Sequence, residues 1–270
     1  MNIHVLTTGG TLVSNAVPDR SGHRWKKTYT DLFQRRSKRS FVPVKTFLVE
    51  TKGHRILVDT GWSSACVSHP IRHMGFGLYF ASEPILKEGE SVPEQLKKYS
   101  LTPEDLDAVI LTHLDCDHVS GLLPLKGAKH LYCSKEEWEH PQRKGDVRYH
   151  KSFWKGAKME TLPMKEEETA PFGESCDLFG DGSVRIFLTP GHSEGSLAVL
   201  SYGESGYAAF VGGDSYNRHS WEELKLPGPV YDVGAMEKTL LWVQGLSKDP
   251  QCIGIYAAHD PEGPLGGENL

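Results

Sequence analysis

The sequence predicts a mixed α/β protein built on a largely buried sheet system. Short runs of β-branched and aromatic residues recur along the chain and are bounded by Gly, Asp or Pro, which is typical of strands. Helix-start signals lie between several of these runs. Because strand runs come first and strands and helices then alternate, we expect both element types within one fold.

The strand-like runs share a β-branched or aromatic core and a turn-forming boundary. They are IHVLT from Ile3, TFLVET from Thr46, RILVDTG from Arg55, AVILTH from Ala108, KHLYC from Lys129, SVRIFLTPGH from Ser183, SLAVLSY from Ser196, YAAFVGGD from Tyr207 and IGIYAAHD from Ile253. We expect each to form a strand of the buried sheets.

Four segments carry helix signals. Ser91 precedes an early Pro in SVPEQLKKYS, and Thr102 precedes a Pro and two acidic residues. Both orders are typical of a capped first turn. Ser134 and Glu137 have the spacing of a capping box, and residues 234–245 are apolar on one helical face. These segments are predicted helices between the strands.

The composition is that of an ordinary globular protein. Of the 270 residues, 38% are apolar and 24% are charged, and the formal net charge is -5. This balance creates no field that favours polyanions, so we expect no nucleic-acid partner. We find no basic flank followed by a long apolar run, which predicts a soluble, cytoplasmic protein with no membrane partner. Five scattered cysteines without a CxxC pair predict reduced thiols.

The chain is predicted to be a single domain over residues 1–270, because no repeat, low-complexity tract or linker divides it. Residues 20–40 form a basic arm in which nine basic residues lie between Arg20 and Arg39. Such an arm either holds an acidic ligand or partner, or is solvated or packed in an oligomer. Charge runs are usually solvated, which favours the second interpretation. A homo-oligomer is left open.

Candidate metal ligands follow several of the predicted strands. Each is a His or Asp at a strand carboxyl end, where α/β folds place their chemistry: His113, Asp115, Asp117, His118, His192, Asp214 and His259. A single such residue is more often structural, as a turn or cap residue. Seven nitrogen and oxygen donors at successive strand ends favour a two-metal site.

Four separated motifs carry a family resemblance. HLDCDHVSG, TPGHSEGS, GGDSY and AAHD, in this order, resemble the signature of the metallo-β-lactamase superfamily, and the upstream VPVKTFLVETKGHRILVDTG resembles its first strand pair. The resemblance spans about residues 42–260 and implies a four-layer αββα sandwich. Within the superfamily, the chain is most similar to the N-acyl-homoserine lactonase group. That group implies a hydrolase that opens a lactone or similar ester with a hydroxide bridging two metal ions.

The resemblance also implies a ligand set. His113, Asp115 and His192 would hold the first metal ion. Asp117, His118 and His259 would hold the second, and Asp214 would bridge the two. Two divalent ions are expected, with zinc favoured and iron or manganese as alternatives. The expected partner is a small-molecule substrate.

The chain departs from the family pattern at Asp115, which stands where the lactonases have a second His. A carboxylate is harder than an imidazole and shifts the preference toward iron or manganese. Flavodiiron proteins also carry a carboxylate here, so a di-iron redox protein is an alternative, although their flavin domain is missing from these residues. A phosphodiester or sulfate ester hydrolase and a binding or regulatory relic are further alternatives.

Two catalytic roles are predicted. Asp117, or the bridging Asp214, would accept a proton and relay it to the leaving alkoxide. Tyr216 lies two positions after Asp214, one residue earlier than the lactonase spacing. It is a candidate to stabilise the oxyanion, with a packing aromatic as the alternative. Cys116, inside the metal motif, is expected to be a small buried hydrophobe rather than a ligand.

Residues 62–90 form a long, aromatic segment after the first strand pair. The superfamily's layout implies that such an insertion covers the metal cleft. Met74, Phe76, Tyr79 and Phe80 are therefore candidates to line a pocket for an acyl chain, with a satellite core as the alternative.

Overall fold

A computed structural model describes residues 1–21, 34–143 and 148–263. The strands are β1 (Asn2–Val13), β2 (Ser40–Thr51), β3 (His54–Val58), β4 (Glu83–Ile85), β5 (Ala108–Ile110), β6 (His130–Cys133), β7 (Met159–Thr161), β8 (Lys165–Glu166), β9 (Glu174–Asp177), β10 (Val184–Leu188), β11 (Leu197–Gly203), β12 (Gly206–Phe210) and β13 (Cys252–Tyr256). The α-helices are α1 (Ala65–Ser68), α2 (Pro70–Met74), α3 (Phe76–Ala81), α4 (Val92–Leu96), α5 (Cys116–Val119), α6 (Lys135–Glu139), α7 (Arg218–Glu222) and α8 (Val233–Leu246).

Two sheets pack face to face in the middle of the molecule. The first has the strand order β4-β1-β2-β3-β5-β6-β7, and the second has the order β13-β12-β11-β10-β9-β8. Successive side chains of a strand point to opposite faces. On β2, Phe47 and Val49 therefore pack toward the second sheet, against Phe210 and Tyr256. Leu48, between them, packs on the opposite face.

Helices cover the outer face of each sheet. The outer face of the first sheet packs against apolar side chains that include Trp62, Met74 and Leu96. The outer face of the second sheet packs against Trp221 of α7 and Val243 of α8. The molecule is thus a four-layer αββα sandwich, as the sequence predicted.

The strand directions bring several loops to one end of the second sheet. β10 and β12 are both antiparallel to β11, and β12 is parallel to β13. The carboxyl ends of β10, β12 and β13 therefore share an end, and ligands of α/β sheets bind beyond such strand ends. The loops that follow these strands carry His192, Asp214 and His259.

The predicted strand runs all form strands in the structure. The predicted helices at Ser91, Ser134 and residues 234–245 are confirmed as α4, α6 and α8. The helix predicted after Thr102 is wrong: Pro103–Asp105 is a single 3-10 turn. Its capping box forms, but Leu106 is already extended and buried because the chain must enter β5 two residues later.

Other sequence expectations are met only in part. All five cysteines lie in the described ranges and are free, as expected. Most of the basic arm at residues 20–40 falls outside the described residues. Within the described part, Arg36 forms an ion pair with Glu83, and Arg39 lies over the Phe80 ring. Among the described helices, none is long and apolar enough to cross a membrane.

Candidate metal centre

The structure brings six of the seven predicted ligands into two compact groups. His113, Asp115 and His192 form the first group. Asp117, His118 and His259 form the second, and within each group the donor atoms lie within 4.8 Å of one another. The His113 and His118 rings are 3.9 Å apart between centroids, so the groups adjoin. This is the grouping that the family resemblance implied.

The four histidines direct their Nε2 atoms into the groups because their Nδ1 atoms are held from behind. The Nδ1 partners are Thr112 Oγ1 for His113, Asp59 Oδ2 for His118, the Pro229 carbonyl for His192 and the Pro43 carbonyl for His259, at 2.8 to 3.0 Å. Three of these partners are acceptors, so the proton belongs on Nδ1 and the Nε2 lone pair is available to a metal ion. Thr112 Oγ1 donates to Asp59 and is therefore also free to accept.

Asp59, in the DTG sequence that directly follows β3, supports this arrangement. It is buried, and it accepts hydrogen bonds from the Thr112 amide and hydroxyl as well as from His118. Its φ of 61° lies in the left-handed region. Non-glycine residues adopt this conformation at a cost, and such strain clusters at functional sites.

Glu137 is a second supporting carboxylate that sequence reasoning missed. Ser134 caps α6 by accepting from the Glu137 amide, as predicted. The buried Glu137 carboxylate does not complete the capping box; it accepts from the amides of Leu114 and Gly195. These amides lie in the loops of His113 and His192, so α6 fixes both loops relative to each other. The partial capping-box spacing was the only sequence signal for this residue.

Asp214 lies beside the groups without belonging to either. A Cβ at Gly213 would lie 2.4 Å from the His192 ring and 2.8 Å from the His113 ring. The Gly213 backbone, directly before Asp214, is therefore in close contact with the first group. Asp214 Oδ2 accepts from Thr189 Oγ1 at 2.5 Å. Its Oδ1 is buried and has no hydrogen-bond partner among the described residues. Burial raises the pKa of this carboxyl well above its usual range.

The second group fits a divalent metal ion. The Nε2 atoms of His118 and His259 are 3.3 Å apart and lie 3.9 and 3.5 Å from Asp117 Oδ2. Burial lowers the pKa of His259 to about 4, which leaves it neutral, as a ligand must be. Burial also opposes charge on His118, but the Asp59 and Asp117 carboxylates raise its pKa to about 9. The same carboxylates favour a metal cation, and two imidazoles with a carboxylate suit zinc or iron.

The first group contains a cation that the sequence analysis did not identify. Arg148 donates through Nε to Asp115 Oδ1 and through Nη2 to Asp115 Oδ2 at 2.7 Å. Nη2 also lies 2.8 Å from His192 Nε2, and Nη1 donates to the His192 carbonyl at 2.8 Å. With the guanidinium in this position, the first group does not fit a metal ion. The unexpected carboxylate at Asp115 was the one sequence signal, since a buried carboxylate needs a cationic partner.

Both groups open into a largely apolar pocket of about 640 Å³, a typical size for a small-molecule site. As expected, residues 62–90 contribute to it. The predicted lining residues are wrong: α3 presents Gly77, Leu78 and Ala81, followed by Ser82. The predicted set lies elsewhere, with Met74 buried in the core, Phe76 and Phe80 stacked outside, and Tyr79 also outside the pocket lining.

Tyr216 lies in the pocket wall. Its ring stacks on the His259 ring at a centroid distance of 4.3 Å and contacts Val13 and Val42. Burial raises the pKa of its hydroxyl well above the usual range, so the group stays protonated and can donate. The position allows both predicted roles, as an oxyanion stabiliser and as a packing aromatic. Cys116 also lines the pocket, and burial raises its thiol pKa, which opposes a thiolate ligand.

Known proteins with similar sequences or structures include lactonases. The N-acyl homoserine lactonase AttM of Rhizobium radiobacter is 26% identical over 229 residues, which cover 82% of this chain and 83% of that protein. A probable metallo-hydrolase of Mycobacterium tuberculosis is 26% identical over 226 residues, which cover 80% of this chain and 70% of that protein. Among solved structures, an N-acyl homoserine lactone hydrolase with N-hexanoyl-L-homoserine at its catalytic metal centre is similar, with a TM-score of 0.74 and 21% identity. The match covers 97% of this chain and 94% of that chain.

A family match agrees with the geometry of the site. Residues 39–212 match the metallo-beta-lactamase superfamily, which is more than half of the chain. The matched region contains β2 through β12, the Asp59 turn and the two loops that carry His113 to His118 and His192. The fold and the two donor groups have the arrangement that the resemblance of the motifs implied. We conclude that the chain belongs to the metallo-β-lactamase superfamily.

Proposed function

We propose that this metallo-hydrolase opens a lactone or a similar ester of a small molecule. The observation that carries the proposal is the second donor group, with Asp117, His118 and His259 converging at the base of an apolar pocket. A bound divalent ion, for which zinc is favoured, would supply a water of lowered pKa and polarise the substrate carbonyl. Such chemistry needs no nucleophilic side chain.

The residues of this chain provide the rest of the reaction. Asp117 is largely buried but lines the pocket, and it can accept a proton and return it to the leaving alkoxide. The protonated Tyr216 hydroxyl can donate to the carbonyl oxygen as negative charge develops there. The buried Asp59 and Glu137 carboxylates keep the ligand loops in position before substrate binds.

The proposed substrate class is an N-acyl-homoserine lactone or a related lactone. Leu78 and Ala81 of α3, together with Val13 and Val17, form an apolar part of the pocket next to the metal groups. This surface suits a hydrocarbon chain, while the donor groups face a polar, hydrolysable ring. The lactonases among the relatives support the same class.

The experiment is hydrolysis of a panel of acyl-homoserine lactones and simple lactones, followed by proton release and by product mass. The metal-loaded wild type is expected to open at least one lactone, and a chelator should abolish the reaction. Asp117→Asn is expected to lose activity by about 100-fold or more while the fold persists. Asp107→Asn, which alters a carboxylate bonded to Lys129 and the Arg55 amide, is the matched control.

Failure on every lactone would overturn the proposed substrate class. Chelator-sensitive cleavage of a phosphodiester or a sulfate ester would then support that alternative. Bound iron with reversible redox chemistry would support a di-iron protein. Full activity of Asp117→Asn on a lactone would remove Asp117 from the mechanism.

A further inference from the structure

The Arg148 guanidinium lies where the first metal ion of the family would bind. Its Nη2 atom contacts Asp115 Oδ2 and His192 Nε2, which are two of the three atoms that the first group offers to an ion. Nη1 fixes the guanidinium further by bonding to the His192 carbonyl. The Tyr149 ring lies beside it, with the guanidinium carbon 5.7 Å from the ring centroid.

Asp115 and Arg148 are chemically matched. A carboxylate accepts two parallel hydrogen bonds from a guanidinium, and both Asp115 oxygens are used in this way. An imidazole cannot accept a paired donation, so the histidine expected from the family pattern would leave the guanidinium without its main partner. The substitution at Asp115 therefore has a structural counterpart 33 residues later in the chain.

Charge also bears on whether the guanidinium or a metal ion occupies the first group. With neutral histidines, the group carries one negative charge, and the guanidinium balances it. Arginine does not lose its proton in proteins, so the guanidinium remains a competing cation at every accessible pH. Both partners are largely buried, with 18% of the Asp115 side chain and 23% of the Arg148 side chain exposed, which limits screening by water.

We propose that Arg148 replaces the first metal ion, so that the chain binds one divalent ion tightly, at Asp117, His118 and His259. The proposal rests on the metal centre of the proposed function but not on its substrate. In this chain, one ion next to a fixed guanidinium thus takes the place of the family's two-ion centre. The guanidinium supplies positive charge that a chelator cannot remove.

Metal content tests the proposal without reference to activity. Chelator-treated protein is loaded with excess Zn²⁺, passed through a desalting column in metal-free buffer, and analysed for zinc per chain. The wild type is expected to retain one ion, and Arg148→Ala is expected to retain two. Asp117→Asn is expected to lose the single ion. The control is Arg185→Ala, which removes another arginine–carboxylate pair, with Glu167, outside the pocket and should still retain one.

A second variant covers the case in which Arg148→Ala does not fold. Asp115→His keeps a metal ligand but removes the paired acceptor, so it is also expected to retain two ions. Thermal unfolding at increasing zinc should reach its highest Tm at one equivalent for the wild type and at two for both variants.

Each other result overturns the proposal. Two tightly bound ions in the wild type would overturn the proposal for Arg148 but would not contradict the proposed hydrolase function. One ion in every folded variant would show that Arg148 does not exclude the second ion. A wild type that retains no ion would remove the metal centre, and with it both proposals.

Discussion

The histidine rings of the centre depend on residues that are not candidate metal ligands themselves. Each Nδ1 is held by a hydroxyl, a carboxylate or a backbone carbonyl, which sets both the ring orientation and the tautomer. Asp59 is the most connected of these residues, since it holds His118 directly and His113 through Thr112. Changes at such positions should weaken metal binding before they affect the fold.

We expect Asp59→Asn to weaken binding of the metal ion about 10- to 100-fold. The amide keeps the shape but loses the charge that favours the His118 proton on Nδ1. Asn also tolerates the left-handed φ of this position, so the backbone should be retained. Zinc affinity by chelator competition is the measurement, with Asp107→Asn as the control. Equal zinc affinity in the two variants would contradict this role for Asp59.

Tyr216→Phe separates the two roles of that residue. The phenyl ring keeps the stack on His259 and the contacts with Val13. If the hydroxyl stabilises the oxyanion, kcat should fall about 100-fold with little change in Tm. Unchanged turnover on a substrate of the wild type would assign Tyr216 to packing alone.

At the residue scale, the motifs predicted the candidate ligands that the structure brings together, but not the residues that support them. His113, Asp117, His118, His192 and His259 stand in recognisable patterns next to strand ends. Arg148 stands in no pattern, and only the folded chain brings it to Asp115. The bridging role of Asp214 remains a prediction.

At the scale of elements, α3 contributes several of the side chains that line the pocket. Residues 77, 78 and 81 share one side of this short helix and line the pocket, whereas Phe76 and Phe80 stack on the other side. Residues 62–90 contribute to the pocket, as the sequence predicted. The abundant aromatic residues of this segment, however, led to the wrong prediction of the pocket-lining face. A segment of three short helices has too few turns for its apolar period to define a face.

Leu78→Trp is expected to shorten the pocket. The kcat/KM for long-chain substrates should fall by roughly tenfold more than that for short-chain ones, because the larger ring occupies space next to the donor groups. Phe76→Trp, on the exposed face of the same helix, is the matched control and should leave the chain-length profile unchanged. An unaltered profile in Leu78→Trp would place the acyl chain elsewhere.

The loop between β8 and β9 contributes a pH-dependent contact to the second sheet. Hydrogen bonds from Ser175 and Arg185 lower the pKa of Glu167 to about 2. The folded pKa lies below the unfolded value of 4.5, so the stabilisation is complete above pH 4.5 and is lost as the pH falls toward 2.

We therefore expect Glu167→Gln to be less stable than the wild type at pH 7 and equally stable near pH 2. Urea unfolding at both pH values measures the difference, and Glu168→Gln, at an exposed neighbouring position, is the control. A difference between Glu167→Gln and the wild type that is the same at both pH values would contradict the assigned pKa.

At the scale of the whole molecule, two buried sheets hold the loops of the centre at one edge. The core between the sheets comes from alternating residues such as Phe47, Val49 and Ile186, whose burial stabilises the fold by about 1.5–3 kcal/mol each. Local patterns predicted these strands well. The strand order and the pairing of β5 with β3 depend on long-range contacts, so only the family resemblance allowed the four layers to be predicted.

Activity as a function of bound metal tests the central claim most directly. Chelator-treated wild type is titrated with Zn²⁺, and the rate of lactone opening is measured at each equivalent. We predict no activity without metal, a rise that ends at one equivalent, and a flat response for Asp117→Asn. A rate that does not depend on added metal would contradict a metal-dependent hydrolase centred on Asp117, His118 and His259. An equal rate in Asp117→Asn and the wild type would also contradict it.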